Sequence, residues 1–168
     1  RLWQHLVSTR LFVTGGLGTS GSNEGFTRDF DLPDEDAYAE TCAAIGLVLW
    51  CHRMLQVAGD SKYADLMERA LYNGFLSGIS LDGAGFFYEN PLASRGQHAR
   101  LPWYDCACCP PNVARVLAGL SGYTYSVSDD GIWVHLYAGG VASARVAGAP
   151  VTLTTTTCYP WDGEINLS

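Results

Sequence analysis

Apolar residues recur at helical spacing over 43–57, where Ile45, Val48, Leu49, His52 and Leu55 share a face and Gly59-Asp60 stops the run. The same spacing predicts a second helix over 64–76, behind a Ser61 cap, and a third over 113–120. Pro110-Pro111 introduces the third, because proline fits a first helical turn. Residues 2–13 are apolar and basic, 15–25 are glycine-rich, and 22–36 are polar and acidic with Pro33, which reads as a loop. Phe86-Phe87-Tyr88, between glycines and Asn90-Pro91, reads as a short strand. From Tyr123 onward the helical period gives way to alternation. Residues 132–137 and 151–156 read as strands, with turns at Asp129-Asp130-Gly131, Gly139-Gly140 and Ala147-Gly148. The chain is therefore mainly α and then β, with a boundary near residue 122, and Ser168 falls inside a strand or its turn.

Composition narrows the classes. A hydrophobic content of 48% in 168 residues argues for a folded core. The net charge is −7, from 10 basic against 17 acidic residues, and the basic ones are scattered. That excludes a phosphate-tracking surface and argues against nucleic acid or an anionic membrane as partner. The longest apolar runs read as too short to span a bilayer. A neutral sugar suits this balance, and five Trp and nine Tyr offer stacking surfaces, although core packing uses most such rings. The opening Arg1-Leu-Trp-Gln-His lacks the order of a secretory leader, so the expected location is cytoplasmic. The opening also reads as the middle of an element. The chain is expected to be a piece of a longer protein, with the faces of 43–57 and 64–76 left unusually exposed.

Gly16-Leu-Gly-Thr-Ser-Gly21 matches a dinucleotide fingerprint, but no amphipathic helix follows to meet a pyrophosphate. A flexible loop presenting Glu24 is the better reading. Asp105-Cys-Ala-Cys-Cys-Pro-Pro-Asn112 places two adjacent thiols before a helix, where backbone N–H groups favour negative charge. Cys108 and Cys109 are expected to have lowered pKa values there and to act as nucleophile or metal ligand; buried thiols or a vicinal disulfide are the plainer alternatives. Glu40-Thr-Cys42 precedes the first long helix, with Thr41 as N-cap. Joined with Cys108 and Cys109, Glu40 and Cys42 complete a set of three thiolates and one carboxylate, which suits tetrahedral zinc.

These stretches together resemble glycoside hydrolase family 127. The resemblance rests on Thr14-Gly-Gly-Leu-Gly, Asn23-Glu-Gly-Phe, Tyr38-Ala-Glu-Thr-Cys-Ala-Ala and Lys62-Tyr-Ala-Asp. It continues through Glu68-Arg-Ala-Leu-Tyr-Asn, Phe86-Phe-Tyr-Glu-Asn-Pro-Leu, Cys106-Ala-Cys-Cys-Pro-Pro-Asn-Val-Ala-Arg and Tyr159-Pro-Trp-Asp-Gly. It implies a retaining exo-hydrolase that removes β-linked L-arabinofuranose. The implied fold is part of an (α/α)6 barrel over 1–122, followed by the first strands of a β-sandwich over 123–168. It further implies zinc held by Glu40, Cys42, Cys108 and Cys109, Cys108 as nucleophile and Glu24 as general acid/base. Tyr88, Cys106 and Glu68 would line the sugar pocket. The partner implied is an oligosaccharide or small molecule containing L-arabinofuranose; a homodimer stays open.

His5, His52, His98 and His135 match none of the sugar-gripping histidines of the family's missing barrel half, so the isolated chain is expected to be inactive. Two rivals stand: a zinc-stapled, non-catalytic carbohydrate-binding domain, since four protein ligands usually mark a structural site, and another carbohydrate-active enzyme on the same barrel.

Overall fold

The computed structural model describes residues 1–168, which divide into two units, Arg1–Leu117 and Ala118–Ser168. The first unit opens with α1 (Leu2–Thr9), whose Trp3 stands edge-on to Trp50 and Tyr63 with ring centroids 5.1 and 4.6 Å away. The apolar periodicity of 43–57 becomes α2 (Thr41–Ala58), closed by Gly59 in the left-handed conformation at φ 61°. Thr41 does not cap this helix. It is the first helical residue, and its hydroxyl donates instead to the Phe87 carbonyl at 2.8 Å. The hydroxyl oxygen, which would accept from a helix N–H in a cap, instead accepts from Asn90 Nδ2 at 3.0 Å.

The run predicted as one helix over 64–76 is three. Asp60, not Ser61, caps α3 (Ser61–Arg69), accepting from the Lys62 N–H at 3.1 Å. The backbone then widens into a π-helical turn, Ala70–Phe75, and tightens into a 3-10 turn, Leu76–Gly78. The wide turn buries Ala70, Leu71, Gly74 and Phe75 together, a broader face than one α-turn presents. Two glycines allow the approach. A Cβ on Gly15 would lie 2.9 Å from the Ala70 Cα, and one on Gly74 would lie 2.9 Å from the Ala44 Cβ.

The apolar faces of α2 and of this second run pack on each other, burying Ile45, Leu47, Val48, Cys51 and Leu55 with Leu66, Met67, Leu71 and Phe75. The expectation that these faces lie bare is met only in part: Leu49 and Val57 stand 41% and 83% exposed, whereas Ile45, Val48 and Leu55 are covered. Contrary to the reading of short apolar runs, α2 is long and apolar enough to cross a membrane by length and composition, yet its Leu47–Val48–Cys51 side is core.

Residues 86–88 form no strand. Phe86 makes single bridges to Ile79 and Leu101, and the backbone beyond it is spent elsewhere. Phe87 N–H donates to Gly78, Tyr88 N–H donates to the Tyr104 hydroxyl, and the Tyr88 carbonyl accepts from Thr41 N–H. The helix predicted over 113–120 is α4 (Cys109–Ala118), which starts four residues earlier, on the second thiol of the pair.

In the second unit, after the short α5 (Ser121–Thr124), β1 (Tyr125–Ser128) and β2 (Gly131–Val134) form an antiparallel pair. A separate antiparallel sheet has the order β3 (Gly140–Val146), β4 (Ala149–Thr157), β5 (Ile165–Leu167). Ala147 and Gly148, both at positive φ (47° and 81°), make the two-residue β3–β4 turn, a geometry that matches the twist of the strands.

Candidate functional site

Glu40, Cys42, Cys108 and Cys109 converge so that their ligand atoms all lie within 4.8 Å of one another. Cys42 Sγ is 3.5 Å from Cys109 Sγ, and Cys108 Sγ is 3.7 Å from Cys109 Sγ. Glu40 Oε1 is 3.4 Å from Cys108 Sγ and 3.7 Å from Cys109 Sγ. A tetrahedral ion with metal–sulfur bonds of about 2.3 Å has edges of roughly 3.8 Å. The four donors already stand near those edges, so the set can hold a metal ion without rearrangement of the backbone.

The pieces are brought together by a clamp between residues 38–41 and 87–90. Asn90 Nδ2 donates to the Ala39 carbonyl at 2.9 Å and to Thr41 Oγ1 at 3.0 Å, and its own N–H reaches the Tyr38 and Ala39 carbonyls at 3.2 Å. Ala39 is buried at φ 38°, a left-handed conformation an alanine holds only when its neighbours insist. That kink delivers Glu40 and Cys42 to one side of the α2 N-terminus. The same clamp fixes Tyr88, whose hydroxyl lies 3.1 Å from Cys108 Sγ. Asn112, one turn into α4, donates from Nδ2 to Cys42 Sγ at 3.1 Å.

The expected lowering of the Cys108 and Cys109 pKa values is overturned in the metal-free chain. The first thiolate forms on Cys42, lowered to about 7 by its hydrogen bond with Cys109, with Asn112 and Cys108 adding to it against the cost of burial. Cys109, fully buried, holds its proton above the ordinary thiol range because of its contact with Cys42, followed by burial. Burial pushes Cys108 up to about 11. Clustered thiols share out charge: one ionises and its neighbours stay neutral to serve it, an effect larger here than the helix terminus. The hydrogen bond to Cys108, followed by burial, drives the Tyr88 hydroxyl well above the phenol range.

Glu24 is exposed, at the tip of a turn bridged by Ser20 and Gly25, and stands at φ 48°. Tyr38 hydrogen-bonds to Glu24 and to Tyr88, and burial with the Glu40 and Glu24 charges raises its pKa above the phenol range. Glu24 is thereby linked through two phenols to Cys108. The glycine-rich loop offers no helix N-terminus, since no helix intervenes between α1 and α2. Its glycines clear space for Tyr38 instead: a Cβ on Gly21 would lie 3.1 Å from the Tyr38 ring. Cys106 is exposed and hydrogen-bonds to Tyr88. Glu68 is half-buried on α3, where its charge adds to burial in raising the Tyr72 pKa; it is not among the four clustered donors. Asn90, Tyr38 and Asn112 carried no role in the sequence reading, and Thr41 only that of a helix cap. Asn90-Pro91 looked like a turn, and only the polar residue closing the Cys-Cys-Pro-Pro-Asn run hinted at Asn112.

The arrangement is a cluster of three thiols and a carboxylate, two of its cysteines partly exposed and one of them under a phenol, that could hold a metal ion. Residues 1–122 match the family model for the β-L-arabinofuranosidase GH127 catalytic domain, and the chain belongs to that family. A non-reducing end β-L-arabinofuranosidase from Bifidobacterium longum is 35% identical over 98% of the chain and 27% of its own length. A solved GH127 β-arabinofuranosidase superimposes with a TM-score of 0.95 at 47% identity, over 98% of this chain and 26% of that one. A GH127 β-L-arabinofuranosidase from Geobacillus stearothermophilus T6 gives 0.92 at 46%, over 98% and 28%. The chain thus spans about a quarter of the length of the relatives it matches.

Proposed function

We propose that the protein containing this chain is a retaining glycoside hydrolase that releases β-linked L-arabinofuranose, with Cys108 as nucleophile and Glu24 as general acid/base. Its full architecture on this reading is an (α/α)6 barrel followed by β-sandwich domains, in the cytoplasm. The observation that carries the reading is the set of Glu40, Cys42, Cys108 and Cys109, whose ligand atoms lie within 4.8 Å of one another, with the Tyr88 hydroxyl 3.1 Å from the Cys108 sulfur. These residues would hold zinc, which would keep the sulfurs deprotonated near neutral pH.

Cys108 attacks the anomeric carbon while Glu24 protonates the departing glycosidic oxygen. The anomeric carbon is then bonded to the Cys108 sulfur. Glu24, now a carboxylate, takes a proton from water, whose oxygen displaces the sulfur with a second inversion, so that configuration is retained overall. The Tyr88 hydroxyl, poised on Cys108, stabilises the sulfur as it departs. Tyr38 holds the Glu24 carboxylate, and Cys106 and Glu68 are assigned to the sugar pocket. The non-catalytic zinc staple is the alternative, and the Tyr88 hydroxyl standing on Cys108 argues against it.

The test is kinetic and chemical. In the intact protein, Cys108→Ser should abolish turnover of aryl β-L-arabinofuranosides, and mass spectrometry of the wild type should trap a pentosyl adduct on the peptide holding Cys108. An active Cys108→Ser protein, or an adduct elsewhere, would overturn the nucleophile.

A further inference from the structure

Outside the four clustered donors, one side chain meets them with a geometry that packing alone does not require. Asn112 Nδ2 lies 3.1 Å from Cys42 Sγ, and Arg115 Nη1 donates to Asn112 Oδ1 at 2.6 Å. The two sit three apart on α4, on one face of the helix. An amide has one donating and one accepting end. A guanidinium only donates, so it claims the oxygen and turns the NH2 group to the sulfur. We infer that Asn112, oriented by Arg115, is a positioning residue for Cys42, holding that sulfur as a fixed ligand of a divalent metal.

The argument rests on the metal reading given above. Three thiolates and a carboxylate bring four negative charges to an ion with two positive ones, so the loaded site is over-charged. An N–H on one thiolate, backed by a cation, draws off part of that excess without occupying the metal. The donors are also dealt unequally. Cys42 receives an amide locked by an ion, whereas Cys108 faces a phenol that also hydrogen-bonds to Tyr38 and Cys106. Cys109 receives no side-chain N–H or phenol and is enclosed by protein. The fixed partner therefore stands on a sulfur that must stay and the adjustable one on the sulfur that must move. Removing outer partners of this kind weakens metal binding by 10- to 100-fold.

The experiment measures zinc affinity in the intact protein by competition with a chromogenic chelator, and the cobalt-loaded spectrum for sulfur-to-metal charge transfer. Asn112→Asp keeps the shape and the pairing with Arg115 but turns an oxygen to the thiolate; zinc should bind at least 10-fold more weakly, and the charge-transfer band should shift. Arg115→Ala, at an exposed position, should weaken binding by a smaller factor, roughly 3-fold, by letting the amide turn. It should cost nothing further in an Asn112→Ala background. If Asn112→Asp loses its native circular dichroism, the Arg115→Ala result decides. Wild-type affinity and spectrum in both variants would overturn the role of Asn112 while leaving the metal site standing. A wild-type protein that takes up neither zinc nor cobalt would overturn the metal reading and this inference with it.

Discussion

At the scale of single residues the site is a distribution of protons among clustered groups. Cys42 in the metal-free fold is lowered to about 7 from an ordinary 9.0, while Cys108 is raised to about 11. Between pH 7 and 9 the unfolded chain keeps the Cys42 proton and the folded chain has released it, so stability rises with pH there. Between pH 9 and 11 the folded chain keeps the Cys108 proton that the unfolded chain has lost, so stability falls. The melting temperature of the reduced, chelator-treated protein should pass through a maximum near pH 9, as a thermal scan across pH 6–11 would show. A steady fall from pH 7 would contradict this ordering of the thiols.

Glu24→Gln should leave zinc content and fold intact but slow turnover by 10²–10⁴ on substrates with poor leaving groups, and by less on activated aryl glycosides that need little protonation. Unchanged turnover on a poor leaving group would remove Glu24 from the mechanism. The four donors were legible in the sequence because thiols are rare and their chemistry is narrow. Asn112, Asn90 and Tyr38 were not, because amides and phenols serve so many structural ends that type alone assigns no role.

At the scale of elements the apolar period located α2 and α3 well and their ends poorly. Thr41 and Ser61 looked like caps because hydroxyls favour that position, but the Phe87 carbonyl, 46 residues away, takes the Thr41 hydroxyl, and the neighbouring Asp60 carboxylate takes the cap of α3. Nor does any local pattern announce the π-turn at Ala70–Phe75, since what selects it is the face it must bury. The strand expected at 86–88 failed for a related reason: the Phe87 and Tyr88 carbonyls accept from Thr41, while their N–H groups go to Gly78 and Tyr104. Gly74→Ala probes this packing directly. The new methyl would meet the Ala44 Cβ at 2.9 Å, and α2 must give way. Chemical denaturation should register a loss of about 1–3 kcal/mol. Asp60→Ala should lower the denaturation midpoint by removing the α3 cap, with no change in metal affinity.

At the scale of the molecule, the helical unit Arg1–Leu117 contains every assigned side chain, and the strands after it are a separate body. The boundary read near residue 122 from a change of period coincides with the end of the catalytic-domain match, residues 1–122, and the compact helical unit closes five residues earlier, at Leu117. The four donors come from two short stretches, and Cys42 and Cys109 stand 67 positions apart along the chain. In polymer terms an ion across them would be a removable knot, closing a loop that holds α3, nearly all of α2 and the 87–90 side of the clamp. Closing a loop of that length takes about 4 kcal/mol of freedom from the unfolded chain, on the same entropic account that describes a disulfide. Unlike a disulfide, this knot is tied by concentration. Order of addition should therefore matter during refolding. Ion supplied after the backbone has settled should give full recovery of native signal, whereas ion supplied to the denatured chain should trap mispaired sulfurs and slow its return.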